Sequence, residues 1–143
     1  VTDYSLPFLK GVIDALEADS TIQGFVGNGD SPETYRIFSH VQQDTVTPYI
    51  RVFVTGMNVG FDSKTQTDSN LSLQVSCFST KPSPLEAQQM SNAVYDLLHR
   101  GEGNITLDSG TLVLLQQDGE SAMIQEPDGI TWHLVRNFQA IID

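Results

Sequence analysis

The residues of this sequence able to do chemistry are three histidines, one cysteine and a few acid-bearing turns. His40, His99 and His133 are widely separated, and none has a second ligand at the His-x-x-x-His spacing that lets one helix face hold a metal. They are expected at the surface or its rim. Cys77 is the single cysteine and so forms no internal disulfide. It falls on the apolar side of an alternating run, where a thiol behaves as a small hydrophobe; a nucleophilic thiolate needs an exposed, electropositive setting. Asp62-Ser63-Lys64 and Asp118-Gly119-Glu120 carry acids, but a calcium loop takes several oxygen ligands at fixed offsets, and turn chemistry accounts for both. Gly24, Gly27 and Gly29 are a loose cluster with no preceding strand, and no nucleophile elbow, phosphate loop or dinucleotide fingerprint occurs. Carboxylate pairs for hydrolysis can lie far apart in sequence, yet a hydrolase also needs His and acid side chains converging on a pocket, and nothing here converges. The expectation is a non-enzymatic protein with no cofactor and no metal.

The elements that would position any site are clearest between Asn70 and Arg100. Leu71, Leu73, Val75 and Cys77 alternate with Ser72, Gln74 and Ser76, the period of a strand with one wet and one dry face. Pro82 and Pro84 stop it. Ser83 can cap a helix whose first position is Pro84, and Glu86, three residues on, completes a Ser-x-x-Glu capping box. Ala87, Met90, Val94, Leu97 and Leu98 then recur at helical spacing, a stripe that must pack on the dry face of the strand, and Gly101 is the expected stop.

At 143 residues the chain is expected to be one domain, 1–143, burying roughly two-thirds of its extended-chain surface. No apolar run approaches the roughly 20 residues of a membrane span, and no basic segment followed by an apolar one opens the chain; these tests predict a soluble, untargeted protein with no membrane partner. Its start at Val1 fits a removed initiator methionine or a boundary cut in a longer chain. The formal charge of −11, from 18 acids and 7 bases, argues against nucleic-acid binding as the main task, because counterion release requires clustered Lys and Arg. Between Arg100 and Arg136 there is no Lys or Arg, while Glu102, Asp108, Asp118, Glu120, Glu126 and Asp128 are acidic. That is either a solvated edge or a surface that repels DNA or meets a basic partner.

In chain order, a helix is expected from near Ser5, with Pro7 in its first turn and Phe8, Leu9, Val12, Ile13 and Leu16 as its stripe. Asp19-Ser20 ends it or restarts a short turn carrying Ile22, Phe25 and Val26. A brief strand at Tyr35–Phe38 follows the loop that begins at Gly27. Pro48 opens a stronger strand, Tyr49 to Thr55, that Gly56 breaks. This strand and the Leu71 strand make an antiparallel pair joined by a long loop. Met57 and Phe61, in that loop, either fold back onto the core or serve a partner. Leu112–Leu115 reads as a buried strand, Gln116–Glu120 as a turn, Ala122–Ile124 as a return strand, Pro127-Asp128-Gly129 as a turn, and Ile130–Ile142 as a long terminal strand that Arg136 interrupts. The fold class is therefore α+β, a mainly antiparallel sheet with two principal helices packed on it.

Taken together, the order of motifs resembles the phage tail-completion or tail-terminator proteins, found also in gene transfer agents. The resemblance covers most of the chain. It rests on Leu16-Glu17-Ala18-Asp19 and Phe25-Val26-Gly27, on Thr47-Pro48-Tyr49-Ile50-Arg51-Val52, and on the strand Leu71 to Phe78. The helix Ala87 to Leu98 follows, then Glu126-Pro127-Asp128-Gly129 leading into a long last strand. The family often starts its first strand with an Arg-Val-Tyr type motif, where this chain has Tyr35-Arg36-Ile37-Phe38 after a longer insertion.

The resemblance implies a virion protein assembled in the host cytoplasm. It would form a homo-oligomeric ring, commonly a hexamer, on the head-proximal end of the tail tube, ending tube growth and meeting the head–tail connector protein. DNA would pass through the lumen without specific binding. A head–tail joining protein, a minor tail protein or a small binding domain are the alternatives. For the contacts, the sheet edges and the 56–68 loop are the expected places, with Met57, Phe61, Asp62, Lys64 and Asp68 as partner-binding residues.

Overall fold

The computed structural model describes residues 4–27, 35–39, 47–59 and 69–143, with the backbone course alone for 57–59. Three helices cover one face of a six-stranded sheet, confirming the α+β class. The elements are α1 (Ser5–Ala18), α2 (Ser20–Val26), β1 (Ile37–Phe38), β2 (Tyr49–Val59), β3 (Ser69–Ser79), α3 (Leu85–Leu98), β4 (Leu112–Gln117), β5 (Ala122–Gln125) and β6 (Trp132–Ile142). A short 3-10 turn, Glu102–Asn104, follows α3.

The central pair is β3 and β6, antiparallel along their whole length, with Leu73 opposite Phe138 and Leu71 opposite Ala140. β2 lies antiparallel on the other side of β3, and the two-residue β1 pairs parallel with the start of β2. The alternation in β3 holds: Leu71, Leu73, Val75 and Cys77 are buried under the helices with Ile50 and Val52 of β2 and Phe138, Ala140 and Ile142 of β6. Phe8, Val12 and Leu16 of α1 and Met90, Val94 and Leu98 of α3 close this core from above. The α1 and α3 stripes and the inward Cys77 are where the pattern put them. The Asp19 restart is a true second helix, because its carboxylate accepts from Thr21 N and Ile22 N and caps α2.

Five local expectations are corrected. Gly56 does not end β2; a register shift between Val54 and Gly56 lets the strand run on to Val59, the usual result of one extra residue in an antiparallel ladder. β5 is no return strand: β4 and β5 both run antiparallel to β6, β4 beside its second half and β5 beside its first, so residues 118–121 are an excursion from one interrupted flank. The capping box does not form, since Glu86 accepts from Ser79 Oγ at 2.8 Å and pairs with Lys81 at 2.9 Å, while Ser83 Oγ accepts from Leu85 N. At the other end of α3 the left-handed residue is Arg100, with φ 56°; Gly101 is needed because a Cβ there would collide with Leu97 O. The last strand begins at Trp132, not Ile130, since Asp128 Oδ1 accepts from Ile130 N and Thr131 N and holds them in the turn.

Candidate assembly surface

No constellation for bond-making chemistry gathers among the described residues. Among these residues no three His, Cys, Asp or Glu side chains come close enough to hold a metal. Burial pushes the Cys77 thiol up to about 12, against a small opposing effect of Arg136, so the thiolate that attack would require is not formed near neutrality. His99 stacks on Tyr95 with ring centroids 4.7 Å apart, and its Nδ1 accepts from Gln117 N. It is committed to joining α3 to β4. The shallow cavities over α2 and α3 are about 300 Å³ each; the more polar one is lined by Asp19, Thr21, Phe25, Asn92 and Asp96, and the Asp19 carboxylate there is taken up in capping α2.

What the structure offers instead is sheet surface. With the helices on one side, the opposite face has no covering layer among the described residues, and a ladder of rings crosses it. Phe38, Tyr49, Phe78 and His133 come from β1, β2, β3 and β6, with centroids 6.3, 4.6 and 4.1 Å apart in turn. Three follow from register, since Tyr49 is opposite Phe78 and Phe78 opposite His133. Burial depresses the His133 pKa, outweighing Glu126, whose Oε1 lies 3.0 Å from Nδ1. Further along the face, Arg51 lies 4.4 Å over the Phe53 ring. Sequence reading gave these aromatic positions only as strand formers. Their stacking depends on pairings between strands distant in sequence, and the alternation of β2 and β6 was the one signal that they share a side.

The two sheet flanks differ as well. β4 is sealed by the turn after α3: Arg100 N donates to Leu115 O, Leu115 N donates to Glu102 Oε1, and Gln117 N donates to His99. Burial would raise the Glu102 carboxyl, but its own N–H, that of Leu115 and the Arg100 charge outweigh this and hold it below the usual range. Arg136, which interrupts the β6 pattern, reaches the edge of α3 and bonds Ser91 Oγ at 2.5 Å, Gln117 Oε1 at 2.7 Å and Asn92 Oδ1 at 2.9 Å. By contrast, all four β5 residues are exposed, Met123 and Ile124 at 37% and 44%.

Of the predicted partner-binding residues, Met57 stands in β2 opposite Leu71; Phe61, Asp62, Lys64 and Asp68 lie outside the described residues, as does His40. The class this defines is a two-layer α+β protein with helices on one face of its sheet and the other face open among the described residues. The chain matches the model of the tail completion protein gp17 family over residues 10–143. It belongs to that family, and is accordingly a structural protein of a virion tail. In fold it is similar to a chain from the virion of a native gene transfer agent particle, with TM-score 0.74 and 18% identity, covering 96% of this chain and 94% of that one. No curated protein matches it. No helix among the described residues is long and apolar enough to cross a membrane.

Proposed function

We propose that this protein is a ring-forming tail terminator: copies assemble, in a hexamer by the family resemblance, on the head-proximal end of the tail tube, stop its polymerisation and present the next surface to the head connector. The family match over nearly the whole chain carries this reading. The physical logic is closure. A tube grows because each added ring repeats the surface it covered, and a ring that fits one tube end without repeating it ends growth. The sheet edges, including the end of β2 at Met57, and the segment 60–68 with Phe61, Asp62, Lys64 and Asp68 are the proposed contact elements. Six copies at −11 each carry −66, so an acidic lumen would let DNA slide instead of holding it.

The test is the solution mass of the purified protein by light scattering, then electron microscopy of its mixture with the cognate tail-tube protein. Rings, or caps on single tube ends with shorter and more uniform tubes, are expected. A protein that stays monomeric and leaves tube length unchanged would overturn the reading. Decoration of the other tube end would make it a different tail component.

A further inference from the structure

The two outer flanks of the sheet are not alike, and the difference tells how one copy would meet the next. Running across it, β2 is antiparallel to β3, β3 to β6, and β6 to β5. β5 therefore runs opposite to β2. If β5 of one copy lies beside β2 of another, with both open faces on the same side, the up-down alternation continues across the junction as an ordinary antiparallel ladder. Among the described residues β5 pairs with β6 alone, and β1 covers β2 only at Ile50 and Arg51.

We propose that this edge-to-edge contact, β5 of one copy on β2 of the next, is the joint between neighbouring subunits of the ring; the inference rests on the ring reading above. Three observations favour a second copy as the occupant. The β4 half of the flank is sealed by the protein's own Arg100, Glu102 and His99, whereas the β5 half has its outer side clear among the described residues and exposes Met123 and Ile124, one toward each face of the sheet. A clear edge with apolar side chains is a template for pairing that soluble proteins otherwise blunt. The charges differ too: Asp118, Glu120, Glu126 and Asp128 surround β5 with no Lys or Arg between Arg100 and Arg136, while Arg51 on β2 makes no ion pair among the described residues. The joint is heterologous, and one such operation repeated closes a ring when its rotation divides a full turn.

Such a joint has a direct test. Met123→Lys with Ile124→Lys blunts the β5 edge, and Thr55→Lys with Gly56→Lys blunts β2 at two exposed positions; the added charges repel one another, so neither variant rescues the other. Each variant alone should fall from the ring mass to one protomer by light scattering, with unchanged far-ultraviolet circular dichroism. Mixed in equal amounts they should form dimers and nothing larger, because only one intact β2 and one intact β5 remain to meet. Rings from either variant, or a mixture that stays monomeric, would overturn the joint while leaving the ring itself standing. A wild-type protein that forms no ring, alone or on tubes, would overturn both. Ile124→Lys alone repeats the test should the double variant lose its circular dichroism.

Discussion

β4 and β5 lie on the same flank of β6, four residues apart, and their outer sides are treated in opposite ways. β4 is finished: its backbone is bonded by the turn after α3, and Leu115 is fully buried. Among the described residues nothing bonds the outer side of β5. The comparison separates residues that hold the subunit together from residues whose partners lie elsewhere, and substitutions can test that separation.

The largest effect should come from the core that both strands lean on. Phe138→Ala removes a fully buried ring facing Leu73 and should cost about 3–5 kcal/mol, read from denaturant unfolding. Arg136→Ala comes next. It strips hydrogen bonds from Ser91, Asn92 and Gln117 at the joint of α3 and β4, and about 2 kcal/mol is expected from bonds of this kind. Glu102→Ala should cost about 1 kcal/mol by leaving Leu115 N without its acceptor; a loss below a few tenths would show that water seals β4 as well as Glu102 does.

A smaller effect concerns acid. Because burial depresses the His133 pKa, the unfolded chain binds its proton more readily than the native one. The His133 contribution is intact above the unfolded value near 6.5 and is lost as pH falls from there to the lower folded value. Thermal unfolding followed through that window should show a slope that His133→Phe removes. Last, Met123→Lys with Ile124→Lys should change subunit stability by less than about 0.5 kcal/mol. If it instead destabilises the isolated subunit as much as Glu102→Ala, β5 belongs with the finished strand and the contrast fails.

The sequence was most legible where a short-range period met a core. Leu71 to Cys77, Met90 to Leu98 and Phe8 to Leu16 needed no partner to reveal their buried sides, and the fold class followed from their order. Legibility ended where distant residues decide. Gly56 looks like a breaker in isolation, but pairing with Ser72 carries the ladder past it. Glu86 has the spacing of a capping box, yet Ser79 and Lys81 claim its carboxylate. Ala122–Ile124 reads as a return strand until β6 proves long enough to hold β4 and β5 end to end. The aromatic ladder and the outer side of β5 were not legible, because both depend on register that no single segment contains.

Cys77 carries one practical consequence. With its thiol walled in between sheet and helices and its ionisation pushed up to about 12, it should ignore alkylating and oxidising reagents that act on exposed thiols near neutrality. The natural chain is thus its own blank for thiol labelling: a cysteine introduced on β2 or β5 would be the only one to react, and a covalent ladder of subunits could be traced to that position without first removing anything.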